Sequence, residues 1–199
     1  MARKEADQMK KEVAELLNSP GKVVVMPTDT LYGIVARTQD KLSVAKLYQL
    51  KQRDDKPGTI IAASLTQLEQ LGLKHRYLKA VEQFWPGPIS VIIPTSDPNL
   101  NYLTLNKYSI AVRIPKDIDL QKLLKITGPL LTTSANQPGK TPAKNIDEAK
   151  AYFGSEVDYY LDGGDLSNAK ASTIIRIIDD AIEIVRPGAV NIIDGKIVA

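Results

Sequence analysis

Helical spacing of apolar residues marks several segments of the chain. In residues 4–18, Met9, Val13, Leu16 and Leu17 recur among lysines and glutamates as they do on one face of an amphipathic helix. A Ser-Pro-Gly sequence ends this segment. The same spacing predicts further helices at residues 41–51, 66–72, 75–84, 117–126 and 145–153.

Short apolar runs between these helices predict strands. β-branched residues dominate the runs, which favours buried strands, and proline or polar residues bound them. The predicted strands are residues 22–26, 59–63, 89–93, 109–114 and 130–133, the last followed by a polar loop at residues 134–142. No element is assigned to residues 34–40.

Two hairpins are predicted near the C-terminus. Residues 172–178 and 181–185 flank Asp179-Asp180, and a later pair, residues 191–193 and 196–198, flanks an Asp-Gly sequence typical of a type I′ turn. Helices and strands that alternate before hairpins indicate an α/β fold with a mixed sheet rather than a purely parallel one.

Length and composition predict one soluble domain spanning residues 1–199. The sequence contains no internal repeat and no linker that would divide it. The N-terminus lacks an apolar signal core, and no apolar run approaches the roughly 20 residues that cross a bilayer. We therefore expect a cytoplasmic protein with no membrane association. The net charge of +3 permits an anionic ligand without requiring nucleic acid.

Residue types that are missing exclude several chemistries. The chain has no cysteine, which excludes disulfides, thiolate metal sites and cysteine nucleophiles. Its single histidine, His75, lies in a basic stretch and is predicted to be a surface residue. The glycine-rich motifs of phosphate loops and dinucleotide-binding folds are absent.

Polar residues cluster at predicted strand ends, where α/β sheets bind their ligands. The first cluster, Pro27 to Gly33, offers two hydroxyls and a carboxylate for a small polar substrate, or alternatively a helix cap. The second, Lys51 to Pro57, carries three cations that would suit a polyphosphate, or would stabilise the end of a helix.

Two further clusters complete the set. Thr132 to Gly139 offers hydroxyls and an amide for a nucleotide or hydrated Mg²⁺, or forms an Asx/Ser turn. Arg113, Ser172 and Arg186 each lie at or near a strand end. An arginine within an alternating apolar strand requires either a bound anion or a structural ion pair.

Taken together and in this order, the motifs resemble those of the YrdC-like family of threonylcarbamoyl-AMP synthases. The resemblance runs from about Lys10 to Ile193. The matching segments are Pro27-Thr28-Asp29-Thr30-Leu31-Tyr32-Gly33, Lys51-Gln52-Arg53 with Lys56-Pro57, Phe84-Trp85-Pro86-Gly87-Pro88, Ala111-Val112-Arg113-Ile114-Pro115, Ser134-Ala135-Asn136 with Gly139, Asp162-Gly163-Gly164, Ser172-Thr173 and Arg186-Pro187-Gly188.

The resemblance implies a twisted mixed β-sheet with flanking helices around a basic concave cavity. It implies a nucleotidyltransferase that forms threonylcarbamoyl-AMP and pyrophosphate from L-threonine, bicarbonate and ATP. Mg²⁺ would be the cofactor, carried mainly by the ATP phosphates and with no protein metal site. The product would pass to tRNA-modification proteins that make threonylcarbamoyladenosine, and weak RNA binding would be compatible with this role.

The resemblance also implies roles for individual residues. Lys51 and Arg53 match catalytic positions near the phosphates. The ATP-binding positions are Lys51, Arg53, Ser109, Ser134, Asn136 and Arg186, and the threonine-binding positions are Thr30, Arg113, Thr132 and Ser172. The chemistry is compatible with these residues, because carbamate attack on the α-phosphate needs charge stabilisation and positioning but no protein nucleophile.

The chain departs from the family pattern in two respects. Longer members carry a histidine that contacts threonine in the strand after the Lys-x-Arg segment, where this chain reads Thr59-Ile60-Ile61-Ala62-Ala63-Ser64. Longer members also have a second domain, so we expect the short, single-domain form.

Two alternatives stay open at the level of sequence. The first is a paralogue of the same fold that acts on another carbamoyl or acyl adenylate. The second is an RNA-binding module without catalysis, although an aromatic content of 6% argues against base-stacking surfaces.

Overall fold

The computed structural model of the protein describes residues 2–179, 181–193 and 196–198 of the 199-residue chain, with side chains from residue 10 onward except residue 196. The helices are α1 (Ala2–Leu17), α2 (Lys41–Leu50), α3 (Leu65–Gln70), α4 (His75–Lys79), α5 (Asn101–Thr104), α6 (Ile118–Thr127) and α7 (Ile146–Phe153), with 3₁₀ turns at Glu82–Phe84, Pro98–Leu100 and Gly154–Glu156.

The strands lie between and after these helices. They are β1 (Val23–Pro27), β2 (Tyr32–Arg37), β3 (Thr59–Ile61), β4 (Ile89–Pro94), β5 (Ser109–Arg113), β6 (Leu130–Ser134), β7 (Tyr159–Tyr160), β8 (Thr173–Ile178), β9 (Ala181–Arg186), β10 (Asn191–Ile193) and β11 (Lys196–Val198).

Within the described residues, nine strands form one mixed sheet in the order β7-β1-β2-β6-β3-β5-β4-β8-β9. The β1–β7, β3–β5 and β4–β8 pairs are parallel, and the other neighbours are antiparallel. The prediction of an α/β fold with a mixed sheet is confirmed.

At strands β1 and β2 both faces of the sheet are buried, because successive residues of a strand point to opposite sides and nearly all of these residues are buried. In β1, Val23 and Val25 pack into a core with helix α2, whereas Val24 and Met26 pack with helices α1 and α6 on the other face. Val13 and Leu17 bury the predicted apolar face of α1, and the side chain of Met9 lies outside the described residues.

Strand β2 and helix α4 differ from the sequence-based expectation. Residues 32–37 form the interior strand β2, which pairs with β1 through a tight loop and with β6 on its other side. The helix predicted over residues 75–84 ends at Lys79, and a 3₁₀ turn follows before the Trp-Pro-Gly-Pro segment.

Both C-terminal hairpins are confirmed as antiparallel pairs, β8 with β9 and β10 with β11. Asp180 and the predicted type I′ turn at Asp194-Gly195 lie outside the described residues. A register shift between Ile174 and Ile175 pairs Ile174 with Arg186, which brings the end of β9 to the start of β8. Among the described residues, no helix is long and apolar enough to cross a membrane.

Candidate active site

A cavity of about 120 Å³ lies where several strands end, and it is open on one side. Its walls come from the β1–β2 loop, the segment before β3, the ends of β5 and β6, and the β8–β9 hairpin. The cavity brings together these predicted site residues: Thr30, Arg53, Arg113, Thr132, Ser134, Ser172 and Arg186. Residues that are far apart in the sequence therefore meet as the motifs predicted.

The β1–β2 loop places Thr30 in the cavity. The Thr28 hydroxyl accepts hydrogen bonds from the backbone N–H groups of Thr30 and Leu31 and donates to the Leu31 carbonyl at 2.7 Å. This arrangement makes a compact turn between two antiparallel strands. The alternative that these residues cap a helix is wrong, because residues 32–37 form a strand.

Arg113 forms the buried end of β5 and points toward the cavity. Its Nη2 atom donates to Asp29 Oδ1 at 2.9 Å, and its Nη1 atom donates to Ser90 Oγ at 3.3 Å. Arg113 is 3% exposed, and its Nε atom has no hydrogen-bond partner, nor does Asp29 Oδ2. A buried guanidinium with an unused N–H group is suited to a bound carboxylate, which accepts such donors in a planar fork.

Burial raises the pKa of Asp29, and the Arg113 charge and hydrogen bond act in the opposite direction. The two residues form an ion pair, in which 4% of the Arg113 side chain and 7% of the Asp29 side chain are exposed. The structural ion pair, one of the two alternatives for Arg113, is therefore present. Arg113 also keeps N–H groups that neither Asp29 nor Ser90 uses, and these remain for a ligand.

Arg186 reaches the cavity from the end of β9. Its Nη2 atom donates to the Ser172 carbonyl at 2.6 Å and to Ser172 Oγ at 3.1 Å. Burial lowers its pKa, and the positive charges of Arg113 and Arg53 lower it further. Three arginines therefore face one small cavity, and the resulting positive potential favours an anionic ligand.

In the Lys51-Gln52-Arg53 segment, Arg53 lines the cavity and Lys51 does not. A left-handed φ of 47° at Gln52 turns the chain, so that Gln52 is exposed while both neighbours point inward. Arg53 is half-buried and lines the cavity, and burial lowers its pKa. Among the described residues, its guanidinium makes no hydrogen bond, so that its donors are available to a ligand.

Lys51 is 2% exposed and does not line the cavity. Its Nζ atom donates to the carbonyl of Ser134 at 2.8 Å, to Asn136 Oδ1 at 2.8 Å and to the Asn136 carbonyl. Burial lowers the pKa of Lys51 to about 7, and the nearby Arg53 charge contributes. The three oxygen acceptors oppose this shift, because only an ammonium group can donate to all three.

Asn136 is a neighbour of the cavity rather than part of its wall. Its Oδ1 atom accepts from Lys51 and from the Ser134 hydroxyl at 2.7 Å, and its Nδ2 atom donates to the Lys140 carbonyl. Lys51 and Asn136 together hold the chain after β6, so that Ser134 stands at the rim.

Ser109 does not line this cavity, and its assignment among the ATP-binding positions stays a prediction. Ser109 begins β5, whereas Arg113 ends it. Four residues of extended strand span roughly 13 Å, and the Ser109 hydroxyl donates to the Lys107 carbonyl at 3.5 Å.

His75 is exposed on α4 and pairs with Glu69 at 2.7 Å, which confirms the prediction of a surface histidine. Among the described residues, no group of three His, Cys, Asp or Glu side chains could hold a metal ion.

The sequence motifs do not indicate that Asp29 and Ser90 hold Arg113. The Asp29 carboxylate is predicted as a substrate-binding group of the first cluster, not as a partner of Arg113. Ser90 interrupts an otherwise apolar strand, Ile89 to Ile93, and a polar residue at such a position was the available signal.

The chain is similar to known proteins over most of its length. The model of the Sua5, YciO and YrdC family, described as telomere recombination, matches residues 16–188. The chain belongs to this family. A protein of Methanocaldococcus jannaschii is 34% identical over 195 residues, which cover 94% of this chain and 90% of the relative. The threonylcarbamoyl-AMP synthase of Cellvibrio japonicus is 33% identical over 147 residues, covering 72% and 78% of the two chains.

A solved structure supports the same relationship. Sua5 from P. abyssi, crystallised with L-threonine, superposes with a TM-score of 0.80 at 29% identity. The superposition covers 91% of this chain and 54% of the P. abyssi chain, so that this chain spans about half the length of that relative. The expected family and its twisted mixed sheet are confirmed.

Proposed function

We propose that this protein is an L-threonylcarbamoyladenylate synthase that uses L-threonine, bicarbonate and ATP. The observation that carries the proposal is the buried Arg113, which lines a cavity with several hydroxyl groups that Arg53 and Arg186 also face. Carboxylate and phosphate are the two anionic groups that this reaction brings together. The name of the Cellvibrio japonicus relative supports the same activity.

The amino acid would lie in the enclosed part of the cavity. At about 30 Å³ for each water molecule, 120 Å³ corresponds to about four waters, a volume on the scale of a small amino acid and too small for an amino acid and a nucleotide together. The threonine carboxylate would bind Arg113, and Thr30, Thr132 and Ser172 would complete the amino-acid pocket around it. The nucleotide would extend through the open side, past Arg53, Ser134 and Arg186.

The reaction would proceed by positioning and charge stabilisation. The threonine amine and bicarbonate form a carbamate with loss of water, and a carbamate oxygen attacks the α-phosphorus of ATP. The bond to pyrophosphate breaks, and Arg53 and Arg186 stabilise the charge that develops on the leaving oxygens. Lys51 contributes by holding Ser134 and Asn136 in place.

Mg²⁺ would neutralise phosphate charge when bound with ATP. The described residues fit this role only as partners of a phosphate-bound ion, because hydroxyl and amide oxygens, rather than clustered carboxylates, stand near the rim. The adenylate would pass in the cytoplasm to proteins that transfer the threonylcarbamoyl group to tRNA.

The test is to incubate the purified protein with ATP, Mg²⁺, bicarbonate and threonine and to identify the nucleotide product by mass. We expect threonylcarbamoyl-AMP and pyrophosphate, with no product when bicarbonate or threonine is omitted. Arg53→Ala should lower turnover by about 10²-fold or more, whereas Arg76→Ala, on exposed α4, should not.

Two other results would contradict the proposed activity. An adenylate that forms only with another amino or acyl substrate would favour the paralogue. RNA binding with a steep salt dependence and no ATP turnover would favour a binding module.

A further inference from the structure

Two serine hydroxyls connect Arg113 to Arg186 beneath the cavity. Ser90 Oγ accepts from Arg113 Nη1 at 3.3 Å and lies 2.9 Å from Ser172 Oγ, which in turn accepts from Arg186 Nη2 at 3.1 Å. Ser90 is 0% exposed and Ser172 is 4% exposed. The result is a continuous hydrogen-bonded chain that begins and ends on a cation.

Arg113 and Arg186 determine which lone pairs of the two serine oxygens are occupied. A guanidinium only donates, whereas each hydroxyl has one proton and two lone pairs. One lone pair on Ser90 therefore accepts from Arg113, and one on Ser172 accepts from Arg186. The remaining choice is which serine donates its proton to the other.

Burial decides this choice. If Ser172 donated to Ser90, the Ser90 proton would have no acceptor among the described residues and would be buried without a partner, which is costly. If Ser90 donates to Ser172, both lone pairs of Ser172 are filled and its own proton is left over. Ser172 lines the cavity, so that this proton can point at a ligand.

We propose that Ser90 is a positioning residue that makes the Ser172 hydroxyl a hydrogen-bond donor toward the carboxylate of the bound amino acid. The inference rests on the proposed function, which supplies that carboxylate. Ser90 acts through its neighbours: it accepts from Arg113, holding that side chain opposite Asp29, and it directs the Ser172 proton toward the cavity. Arg113 and Ser172 then present donors to the same anionic group.

The position of Ser90 in β4 supports a role toward the cavity rather than in the apolar core. Ile89 and Val91, on either side of it, pack into the hydrophobic core. Because neighbouring residues of a strand face opposite sides, Ser90 points away from that core and toward Arg113. A hydroxyl is therefore present where an apolar side chain would continue the strand pattern.

The test compares Ser90→Thr with Ser90→Val. Both variants add nearly the same volume to a buried position, but only threonine keeps the hydroxyl. We expect Ser90→Val to raise the KM for threonine roughly tenfold to a hundredfold and to leave the KM for ATP within about threefold. Ser90→Thr should restore the threonine KM to near the wild-type value.

Ser90→Ala provides the same comparison without added volume, in case both larger side chains prevent folding. It should show the same rise in the threonine KM. An unchanged threonine KM in Ser90→Ala, or equal losses in Ser90→Thr and Ser90→Val, would overturn the proposal. A wild-type protein that makes no threonylcarbamoyl-AMP would instead refute the proposed function, so that the two failures are distinguishable.

Discussion

At the scale of single residues, the Asp29–Arg113 pair shows how one contact serves both stability and binding. Removing one member of a buried ion pair leaves the other charge without compensation, which costs about 3–5 kcal/mol. We expect Asp29→Ala to lower the free energy of unfolding by that amount, measured by denaturant titration. Asp54→Ala changes an exposed carboxylate and should shift the same quantity by less than about 0.5 kcal/mol.

A double-mutant cycle tests whether the loss of stability comes from the Asp29–Arg113 ion pair. If the buried charges stabilise each other, Asp29→Ala and Arg113→Met combined should cost clearly less than the sum of the two single changes. Additive losses would show that Asp29 stabilises the loop independently of Arg113.

The pKa of Lys51, lowered by burial to about 7, leads to a pH dependence of nucleotide binding. Below that pH the ammonium holds all three oxygens of Ser134 and Asn136. Above it a neutral amine can donate to only two. Because binding would favour the protonated form, the affinity for Mg²⁺ and a non-hydrolysable ATP analogue should fall as pH rises above about 7, by at most about tenfold per unit.

Titration calorimetry at pH values from about 7 to 9 measures this dependence. Lys51→Met should bind more weakly at about pH 7 and should lose the dependence, whereas Lys56→Met, an exposed lysine of the same segment, should retain it. An affinity that is constant over this range in the wild type would contradict the role assigned to the Lys51 proton.

At the scale of elements, adding a Cβ at one of two glycines should change the shape of the cavity, whereas adding it at the other should change the stability of the sheet. A Cβ on Gly33 of β2 would lie 2.6 Å from Thr132 Oγ1, a side-chain atom that can rotate into the cavity. A Cβ on Gly58, just before β3, would lie 2.8 Å from the Thr132 carbonyl, a backbone atom that cannot move without shifting the sheet.

Alanine at these two positions should therefore have different effects. We expect Gly33→Ala to raise the threonine KM by about tenfold or more and Gly58→Ala to cost about 1–3 kcal/mol of unfolding free energy. Gly87→Ala, whose Cβ would meet only the Phe84 carbonyl at 3.5 Å, is the control for both measurements. Equal losses of stability in Gly33→Ala and Gly58→Ala would argue against the distinction.

The same scale shows what the sequence pattern could predict. Strands such as Val23–Pro27 and the C-terminal hairpins follow from periodicity and turn residues, because those signals are local. Strand β2 is not predicted, because its first residues, Tyr32 and Gly33, belong to a polar cluster that follows a predicted strand. Its pairing with β6, about 100 residues later, is a tertiary property that a local pattern does not contain.

At the scale of the whole molecule, residues from strand ends far apart in sequence meet because the sheet order places β2, β6, β3 and β5 side by side. The motif order indicated which residues would converge, and most of them do. It could not show that Lys51 and Asn136 stand behind Ser134, or that Ser90 connects two arginines. Those relations depend on side-chain direction and on register across strands.

Selectivity for the amino acid should follow from this assembled cavity, whose walls combine the hydroxyls of Thr30, Thr132 and Ser172 with the apolar side chains of Leu31 and Ile174. Serine lacks only the methyl group of threonine, worth about 1 kcal/mol, so that its kcat/KM for adenylate formation should be roughly tenfold lower. Glycine and valine lack the hydroxyl and would leave buried polar groups unpaired, so that each should be rejected by about 10²-fold or more.

Measuring kcat/KM for all four amino acids at fixed ATP and bicarbonate tests the order. L-allothreonine sharpens the test, because it carries the same groups with the opposite configuration at Cβ. If the hydroxyl and the methyl each have a defined place among the cavity walls, exchanging them should lower kcat/KM at least as much as removing the methyl. Rates that do not distinguish threonine from valine or allothreonine would mean that only the carboxylate and amine are recognised, and that the threonines of the cavity wall contact something other than the substrate side chain.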